Sequence, residues 1–348
     1  MLVLAVGAGI WAVVTHWPHG ASGAPPTSQP YVGTSEPRVT ATSTSGPSTA
    51  GERRGVGTYT VAQIDLAFVE PASGTGPART LPTTVWYPHA KGAPGSAPDR
   101  AGGPYPLLVF SQGFNAPVTT YATLLTDWAS AGFVVAAPTY PHTSPNETPE
   151  ESDIRLHPGD LQFVINQLRT QAAHPGSTLS GLVDTHEVGV VGQSDGGDVS
   201  LAVADDSQWR DPAVKAVAVL SGAENVAEFG GSYFSGPSVP ILVVQSNTDS
   251  VNLPACSVQI YNSASEPKYY LKLLGPSLPT KWANHLDPYT QLSDYQSVIA
   301  AVTADFFQVE LTGDQASAPA MAQSATPSLS ELATTPSVPT SAGTCPGS

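Results

Sequence analysis

The sequence predicts one α/β domain built on a doubly wound, mostly parallel sheet of about eight strands. Two observations carry this prediction. Short, continuously apolar runs alternate along the chain with segments of helical period, as in βαβ crossovers. The first two strand-like segments instead alternate apolar and polar residues, as half-exposed antiparallel strands do. The pattern holds over residues 56–312, a length that suits one large domain.

The elements follow in order from the amino end. Thr58–Glu70 and Thr80–Pro88 are the two alternating, antiparallel strands. Continuous apolar runs, typical of strands buried on both faces, follow at Pro106–Gly113, Phe133–Tyr140, Glu187–Ser194, Val214–Gly222 and Pro240–Asn247. Tyr269–Gly275 supplies a last strand. Helical periods occupy residues 119–132, 159–173, a stretch after 194, 252–264 and 293–311.

The two flanks of the domain differ from it in composition. Residues 18–55 are mainly Pro, Ser, Thr and Gly, and residues 313–348 repeat that composition with added Ala. Neither segment has enough large apolar residues to offset its ordering entropy. We therefore expect a disordered linker before the domain and a low-complexity tail after it.

Residues 1–17 form an uncharged, apolar run that predicts a membrane-targeting segment. A cleaved signal peptide and a retained membrane anchor fit this run equally well. Either form sends the domain across a membrane, so the expected location is extracytoplasmic, secreted or anchored to the cell membrane.

Charge and cysteine content exclude several functional classes. The chain has 13 Lys and Arg against 28 Asp and Glu, a net charge of −15, which argues against nucleic-acid binding. Its two cysteines, Cys256 and Cys345, cannot form a four-thiolate metal site, and no His-x₃-His or His-Glu-x-x-His spacing occurs among the eight histidines. No metal or other cofactor is expected. The sequence leaves open whether the two cysteines form a disulfide.

A nucleophile-elbow motif stands where the third continuous apolar run meets a predicted helix. The run VGVV is followed by the residues 192–196, Gly-Gln-Ser-Asp-Gly, which match G-x-S-x-G. This turn is so tight that the residues two before and two after the serine must be small, and the helix dipole then favours negative charge near the hydroxyl. Ser194 is the predicted nucleophile, with an ordinary glycine-rich turn as the alternative.

The order Ser, acid, His identifies partners for Ser194. His285 is the one histidine that follows Ser194 in the chain, and we expect it in a loop between the last strand and the last helix. Asp249 closely follows a buried strand, at the sheet edge where sites of such folds form. Asp287 is a weaker candidate, since its closeness to His285 would demand a contorted loop. Asp249 is therefore the predicted acid.

Two backbone amides are predicted to bind the oxyanion of the reaction. One belongs to Asp195, directly after the nucleophile. The other belongs to Phe114, with Gly113 in reserve, where a strand ends and the chain turns toward a helix. Apolar candidates to line the pocket, each of which could equally pack in the core, are Phe114, Tyr140, Tyr233, Phe234 and Trp282. Only residues 223–239 separate the strands between which a lid would sit, so we expect no large lid and an open site.

Five segments in this order resemble the α/β-hydrolase superfamily: PLLVFSQGF, FVVAAPTYPHT, the elbow, VPILVVQSNTD and ANHLDPY. They are most similar to bacterial dienelactone-hydrolase-like, platelet-activating-factor-acetylhydrolase-like and cutinase-like esterases. The resemblance covers residues 58–311. It implies an α/β-hydrolase fold and serine carboxylic-ester hydrolysis, with Ser194 as nucleophile, Asp249 as acid and His285 as base.

The chain departs from these families at two positions, where Gln193 and Gln112 replace histidines that the families often carry. Neither position performs acyl chemistry, so we expect the departures to affect the choice of substrate more than the mechanism.

The resulting hypothesis is a monomeric serine esterase that acts through an acyl-enzyme on small-molecule, lipid-like or polymeric esters. Acyl transfer or peptide hydrolysis on the same triad is one alternative. A catalytically inactive, envelope-anchored binding module is another. The sequence does not identify the acyl chain or the alcohol.

Overall fold

A computed structural model describes residues 55–72, 77–143, 148–339 and 345, together with the backbone of residues 38–40. The predicted targeting segment, residues 1–17, and most of the predicted linker lie outside these residues. Among the helices of the described ranges, none has both the length and the apolar character that a membrane span requires.

One mixed sheet forms the centre of the domain. In the described part of the chain it has ten strands: β1 (Arg38–Thr40), β2 (Val61–Glu70), β3 (Arg79–Pro88), β4 (Tyr105–Ser111), β5 (Val134–Pro138), β6 (Val183–Gln193), β7 (Val214–Leu220), β8 (Ile241–Ser246), β9 (Lys268–Leu273) and β10 (Ser330–Ala333). Their spatial order is β1-β2-β3-β5-β4-β6-β7-β8-β9-β10. All neighbours from β5 to β9 are parallel, and the pairs at both ends are antiparallel. The predicted doubly wound, mostly parallel sheet is confirmed.

Helices cover both faces of this sheet. They are α1 (Ala122–Ser130), α2 (His157–Ala173), α3 (Asp195–Asp205), α4 (Val226–Phe229), α5 (Pro254–Ser263), α6 (Lys281–Thr290), α7 (Ser293–Thr312) and α8 (Ser317–Ser324). Short 3₁₀ turns at Val118–Tyr121 and Glu151–Leu156 precede α1 and α2. The segment between β7 and β8 contains only the single turn of α4, which agrees with the expected absence of a large lid there.

The central strands are continuously apolar because both of their faces are buried. In β4, Val109 packs into the core cluster that contains residues of α2, α3 and α5. Its neighbours Leu108 and Phe110 pack into the opposite cluster, with residues of α1, α6 and α7. Successive side chains of a strand point to opposite faces, so a two-sided core leaves no polar position in the run.

The prediction of a low-complexity tail from residue 313 is wrong. The chain forms α8 after α7 ends, and β10 then pairs antiparallel with β9 at the edge of the sheet. Composition is a poor guide here because backbone hydrogen bonds stabilise an edge strand whatever its side chains are. Ala320 and Met321 also bury their side chains. The domain therefore extends through the described residues up to 339.

The predicted linker is also interrupted by structure. Its residues 38–40 form β1, which pairs antiparallel with β2 at the other edge of the sheet. A strand of three residues needs only backbone groups to pair, so a segment poor in apolar residues can supply it.

A disulfide joins Cys256 on α5 to Cys345, and both residues are buried. It answers the question that the sequence left open. Further along α5, Asn262 exchanges two hydrogen bonds with the backbone of Val338, of 2.9 Å and 3.1 Å. The carboxyl-terminal segment is thus attached to α5 by a covalent bond and by side-chain hydrogen bonds, and to β9 through β10.

Removing the disulfide should destabilise the oxidised protein. The chain-entropy model assigns about 4–5 kcal/mol to a loop closed between residues this far apart. We expect Cys345→Ser to lower the free energy of unfolding by about 2–4 kcal/mol, because cross-links often deliver less than the model predicts. Urea unfolding measures this, and wild-type protein in reductant is the matched control. A variant as stable as the oxidised wild type would contradict a structural role for the bridge.

Candidate active site

Ser194 occupies the turn between β6 and α3 with φ 55° and ψ −127°, the unusual backbone of a nucleophile elbow. The flanking glycines are required by close packing. A Cβ on Gly192 would lie 2.0 Å from the Gly196 carbonyl oxygen, and one on Gly196 would lie 2.0 Å from the Ser111 carbonyl oxygen. The motif therefore has the strand–turn–helix context that the sequence predicted for it.

His285 and Asp249 form a buried pair. The Nδ1 atom of His285 lies 2.7 Å from Oδ2 of Asp249, and each residue is 3% exposed. The carboxylate also accepts hydrogen bonds from the Val251 amide, at 2.9 Å, and from Gln245 Nε2, at 3.2 Å. Since a carboxylate accepts hydrogen bonds, Nδ1 of the ring carries a proton, and in the neutral imidazole Nε2 is then the nitrogen with the lone pair.

His285 lies on a helix and not in the predicted loop. Helix α6 begins after Thr280, whose hydroxyl accepts a hydrogen bond of 3.1 Å from the Ala283 amide. Pro288 near the end of α6 concealed this helix from sequence reasoning, because proline interrupts helical hydrogen bonding. The helix gives the ring a rigid support.

Asp287 has no described contact with the His285 ring. Its backbone carbonyl accepts the amides of Gln291 and Leu292 at the end of α6. Its side chain is partly buried, and this desolvation raises the pKa of the carboxyl group. The arrangement places Asp249, and not Asp287, against the imidazole.

The amides predicted for oxyanion binding border one cavity. The Asp195 amide begins α3, whose positive end faces Ser194. The Gly113 amide donates to the Tyr121 hydroxyl at 3.4 Å, whereas the Phe114 amide has no acceptor among the described residues. This difference favours Phe114 over Gly113 as the second donor.

The cavity beside Ser194 has a volume of about 490 Å³. Its walls are formed by Phe114, Asn115, Ala116, Glu151, Gln193, Ser194, Asp195, Val251, Asn252, Trp282, His285 and Leu286. Trp282 is 58% exposed, and its ring meets the His285 ring edge-on with centroids 6.3 Å apart. The predicted nucleophile and base, both predicted amide donors and Trp282 thus line one cavity. Asp249 does not line it, but it contacts His285, which does.

Three predicted pocket residues lie elsewhere. Tyr140 is 1% exposed; its hydroxyl bonds to Ser111 Oγ at 2.8 Å and its ring stacks on His157 with centroids 4.3 Å apart. Tyr233 and Phe234 pack against the core cluster on the α3 side of the sheet. None of the three lines the cavity, because a large aromatic residue near a strand end fills the core as readily as a site.

Sequence reasoning missed several residues that line the cavity: Glu151, Val251, Asn252 and Leu286. Glu151 begins the 3₁₀ turn before α2, and no motif marks it. Burial, and after it the negative charge of Glu151, raise the pKa of the Asp195 carboxyl group, and His285 opposes them; together they bring this pKa to about 6. The cavity therefore has an acidic side that the motif alone did not indicate.

Gln193 also has a place that the sequence did not predict. Its Nε2 atom lies 3.3 Å from His285 Nε2, and its Oε1 atom accepts a 2.8 Å hydrogen bond from the Tyr121 hydroxyl. Among the described residues no hydrogen bond joins Ser194 to His285. In the described structure the polar side chain that contacts Nε2 of the base is that of Gln193, whereas Asp249 contacts Nδ1.

Comparison with known proteins gives the family. A family model described as Chlorophyllase matches residues 87–328, more than half of the chain. A search of curated proteins finds no match. The family model confirms the predicted α/β-hydrolase superfamily and supports ester hydrolysis in general, without naming a substrate or a triad for this chain. The chain belongs to the chlorophyllase family, a serine-esterase-like family of α/β-hydrolases.

Proposed function

We propose that the protein is a serine carboxylic-ester hydrolase in which Ser194 is the nucleophile, His285 the base and Asp249 the orienting acid. The buried 2.7 Å contact of His285 with Asp249, beside the cavity that contains Ser194, carries this proposal. A histidine oriented by a carboxylate next to an elbow serine is the arrangement that activates a weak nucleophile.

In the first half-reaction, the Ser194 oxygen attacks the ester carbonyl as its proton passes to His285 Nε2. The tetrahedral oxyanion accepts hydrogen bonds from the amides of Phe114 and Asp195. The C–O bond to the alcohol then breaks, and His285 returns the proton to the leaving oxygen. An ester now joins the acyl group to Ser194.

In the second half-reaction, a water molecule gives its proton to His285 as its oxygen attacks the acyl-enzyme. Collapse of the second tetrahedral intermediate breaks the bond to the Ser194 oxygen, which takes the proton back, and the carboxylic acid leaves. The Asp249 carboxylate orients the ring through Nδ1 and stabilises the imidazolium that forms in each half-reaction.

The cavity supports small or lipid-like substrates. Its volume is within the range of small-molecule sites, and Phe114, Val251, Trp282 and Leu286 give it apolar walls. The acyl chain and the alcohol are best determined by a screen of p-nitrophenyl esters of graded chain length, with chlorophyll included because of the family's name.

A fluorophosphonate probe separates this proposal from an inactive binding module. The probe should label the wild-type protein at Ser194, and labelled protein should no longer hydrolyse esters. Supplying alcohols, amines or peptides during turnover tests for acyl transfer and peptide cleavage. Absence of both labelling and ester turnover would reject the proposal.

We also propose that the enzyme works outside the cytoplasm. The apolar run at residues 1–17 supports this location, and so does the disulfide between Cys256 and Cys345, because such bonds persist in oxidising compartments. Fractionation of cells that express the full chain, followed by esterase assay of each fraction, tests the location. Activity confined to the cytoplasm would contradict it.

A further inference from the structure

Gln193 lies between the proposed base and the loop that supplies an oxyanion donor. It is 1% exposed. Its Nε2 atom lies 3.3 Å from His285 Nε2 and 3.3 Å from the His285 carbonyl oxygen, and its Oε1 atom accepts the 2.8 Å hydrogen bond from Tyr121. One buried amide therefore contacts α6 on one side and the residue before α1 on the other.

The direction of these hydrogen bonds follows from the chemistry of the partners. The carbonyl oxygen of His285 can only accept, so the Gln193 atom that faces it is the amide nitrogen. The Tyr121 hydroxyl then donates to Oε1. Since His285 Nδ1 donates to Asp249, the amide N–H of Gln193 meets the lone pair of Nε2. This contact favours the neutral imidazole, and at 3.3 Å it is long enough to yield Nε2 to the Ser194 proton when that proton is transferred.

The Gln193 side chain also packs against the loop that supplies the Phe114 amide. The Gly113 amide donates to the Tyr121 hydroxyl, and a Cβ on Gly113 would lie only 2.6 Å from Gln193 Oε1. The loop thus packs directly against the glutamine, one residue before the Phe114 amide. A displacement of Gln193 would move the base and the donor loop relative to each other.

We infer that Gln193 is a positioning residue that keeps His285 neutral and holds it in register with the oxyanion loop. This inference rests on the proposed ester hydrolysis. It also revises the expectation that position 193 bears mainly on the choice of substrate, because the side chain acts on the base.

Gln193→Glu is the sharpest test, because it keeps the shape of the side chain and places a carboxylate beside His285. An adjacent negative charge favours the imidazolium. We expect the acid limb of the pH profile of kcat/KM to move upward by about one pH unit, with activity recovered at alkaline pH. Gln193→Met removes the hydrogen bonds at similar volume, and should lower kcat about tenfold and shift the limb upward by less.

The matched control is Gln112→Glu. Gln112 is also a buried glutamine, 2% exposed, but its Nε2 atom donates to Thr143 and has no described contact with His285. The acid limb of the pH profile of Gln112→Glu should lie at the same pH as that of the wild type. A purely structural role for Gln193 would lower the melting temperature and kcat in Gln193→Met without moving the acid limb in either variant at this position.

NMR of the histidine side chains measures the protonation of the His285 ring without any turnover. In a Ser194→Ala background, the His285 imidazole should keep its proton to higher pH in Gln193→Glu than in the parent, with the signal assigned by loss in His285→Gln. Asp249 contacts this ring, Asp195 interacts with it electrostatically, and Glu151 interacts in the same way with Asp195; these three groups are the same in every variant. Unchanged titration together with an unchanged acid limb overturns the inference.

Two outcomes are kept apart by this design. If the wild type neither hydrolyses esters nor reacts with fluorophosphonate, the proposed function fails, whatever the titration shows. If the wild type is active and the curves of Gln193→Glu and Gln193→Met superimpose on the wild-type curve, only the role of Gln193 fails. If Gln193→Glu does not fold, Gln193→Met is used for both measurements, the acid limb of the pH profile and the NMR titration of His285.

Discussion

Replacing Ser194 with alanine is expected to lower ester hydrolysis by roughly 10⁶-fold, because members of a triad act as a unit. The residual rate would come from the oxyanion donors and substrate binding alone. The change removes a single oxygen at the turn, so the fold should survive. Hydrolysis of the best p-nitrophenyl ester from the screen, with circular dichroism to check the fold, measures the effect.

Ser200→Ala is the matched control for this substitution. Ser200 lies on α3, six residues after the nucleophile; it is fully buried, and its hydroxyl has no partner in the described structure. Losing that oxygen should leave activity near the wild-type value. Ser194→Ala activity within tenfold of the wild type would refute the assignment of the nucleophile, because an enzyme that loses its nucleophile cannot keep most of its rate.

The central part of the fold was predictable because one physical cause determines it. Strands β4 to β8 are covered on both faces, so their sequences are apolar without interruption, and each run is visible by itself. The elbow was predictable for a similar reason. The carbonyl oxygen of Gly196 leaves no room for a Cβ at position 192, and that of Ser111 leaves none at position 196, so both positions must be glycine and the motif is visible in the sequence.

The parts that were not predictable depend on contacts between distant segments. Strand β10 is stabilised by backbone hydrogen bonds with β9, which leave no mark on side-chain composition. Tyr140 could fill the core or the pocket, and its contacts with two distant residues, His157 and Ser111, decide which. The contact of Gln193 with His285 joins residues 92 positions apart, so it becomes visible only when α6 is in place.

The hydrogen bonds around Asp249 explain why its carboxylate has no uncharged substitute. Oδ1 accepts the Val251 amide, and Oδ2 accepts both His285 Nδ1 and Gln245 Nε2. An asparagine at this position must direct its NH₂ group at one of these donors. If the NH₂ group faces Val251, two N–H groups oppose each other. If it faces His285, the ring must take the tautomer with the proton on Nε2, which cannot accept the proton of Ser194.

We therefore expect Asp249→Asn to lower kcat by about 10⁴-fold, the scale associated with a wrong tautomer of the base. Asp287→Asn is the matched control, because Asp287 is two residues from His285 on the same helix but has no described contact with the imidazole. Its activity should stay within a few-fold of the wild type. Steady-state kinetics of both variants on one ester decide between them. A much larger loss in Asp287→Asn than in Asp249→Asn would transfer the orienting role to Asp287, and would require α6 to rearrange when substrate binds.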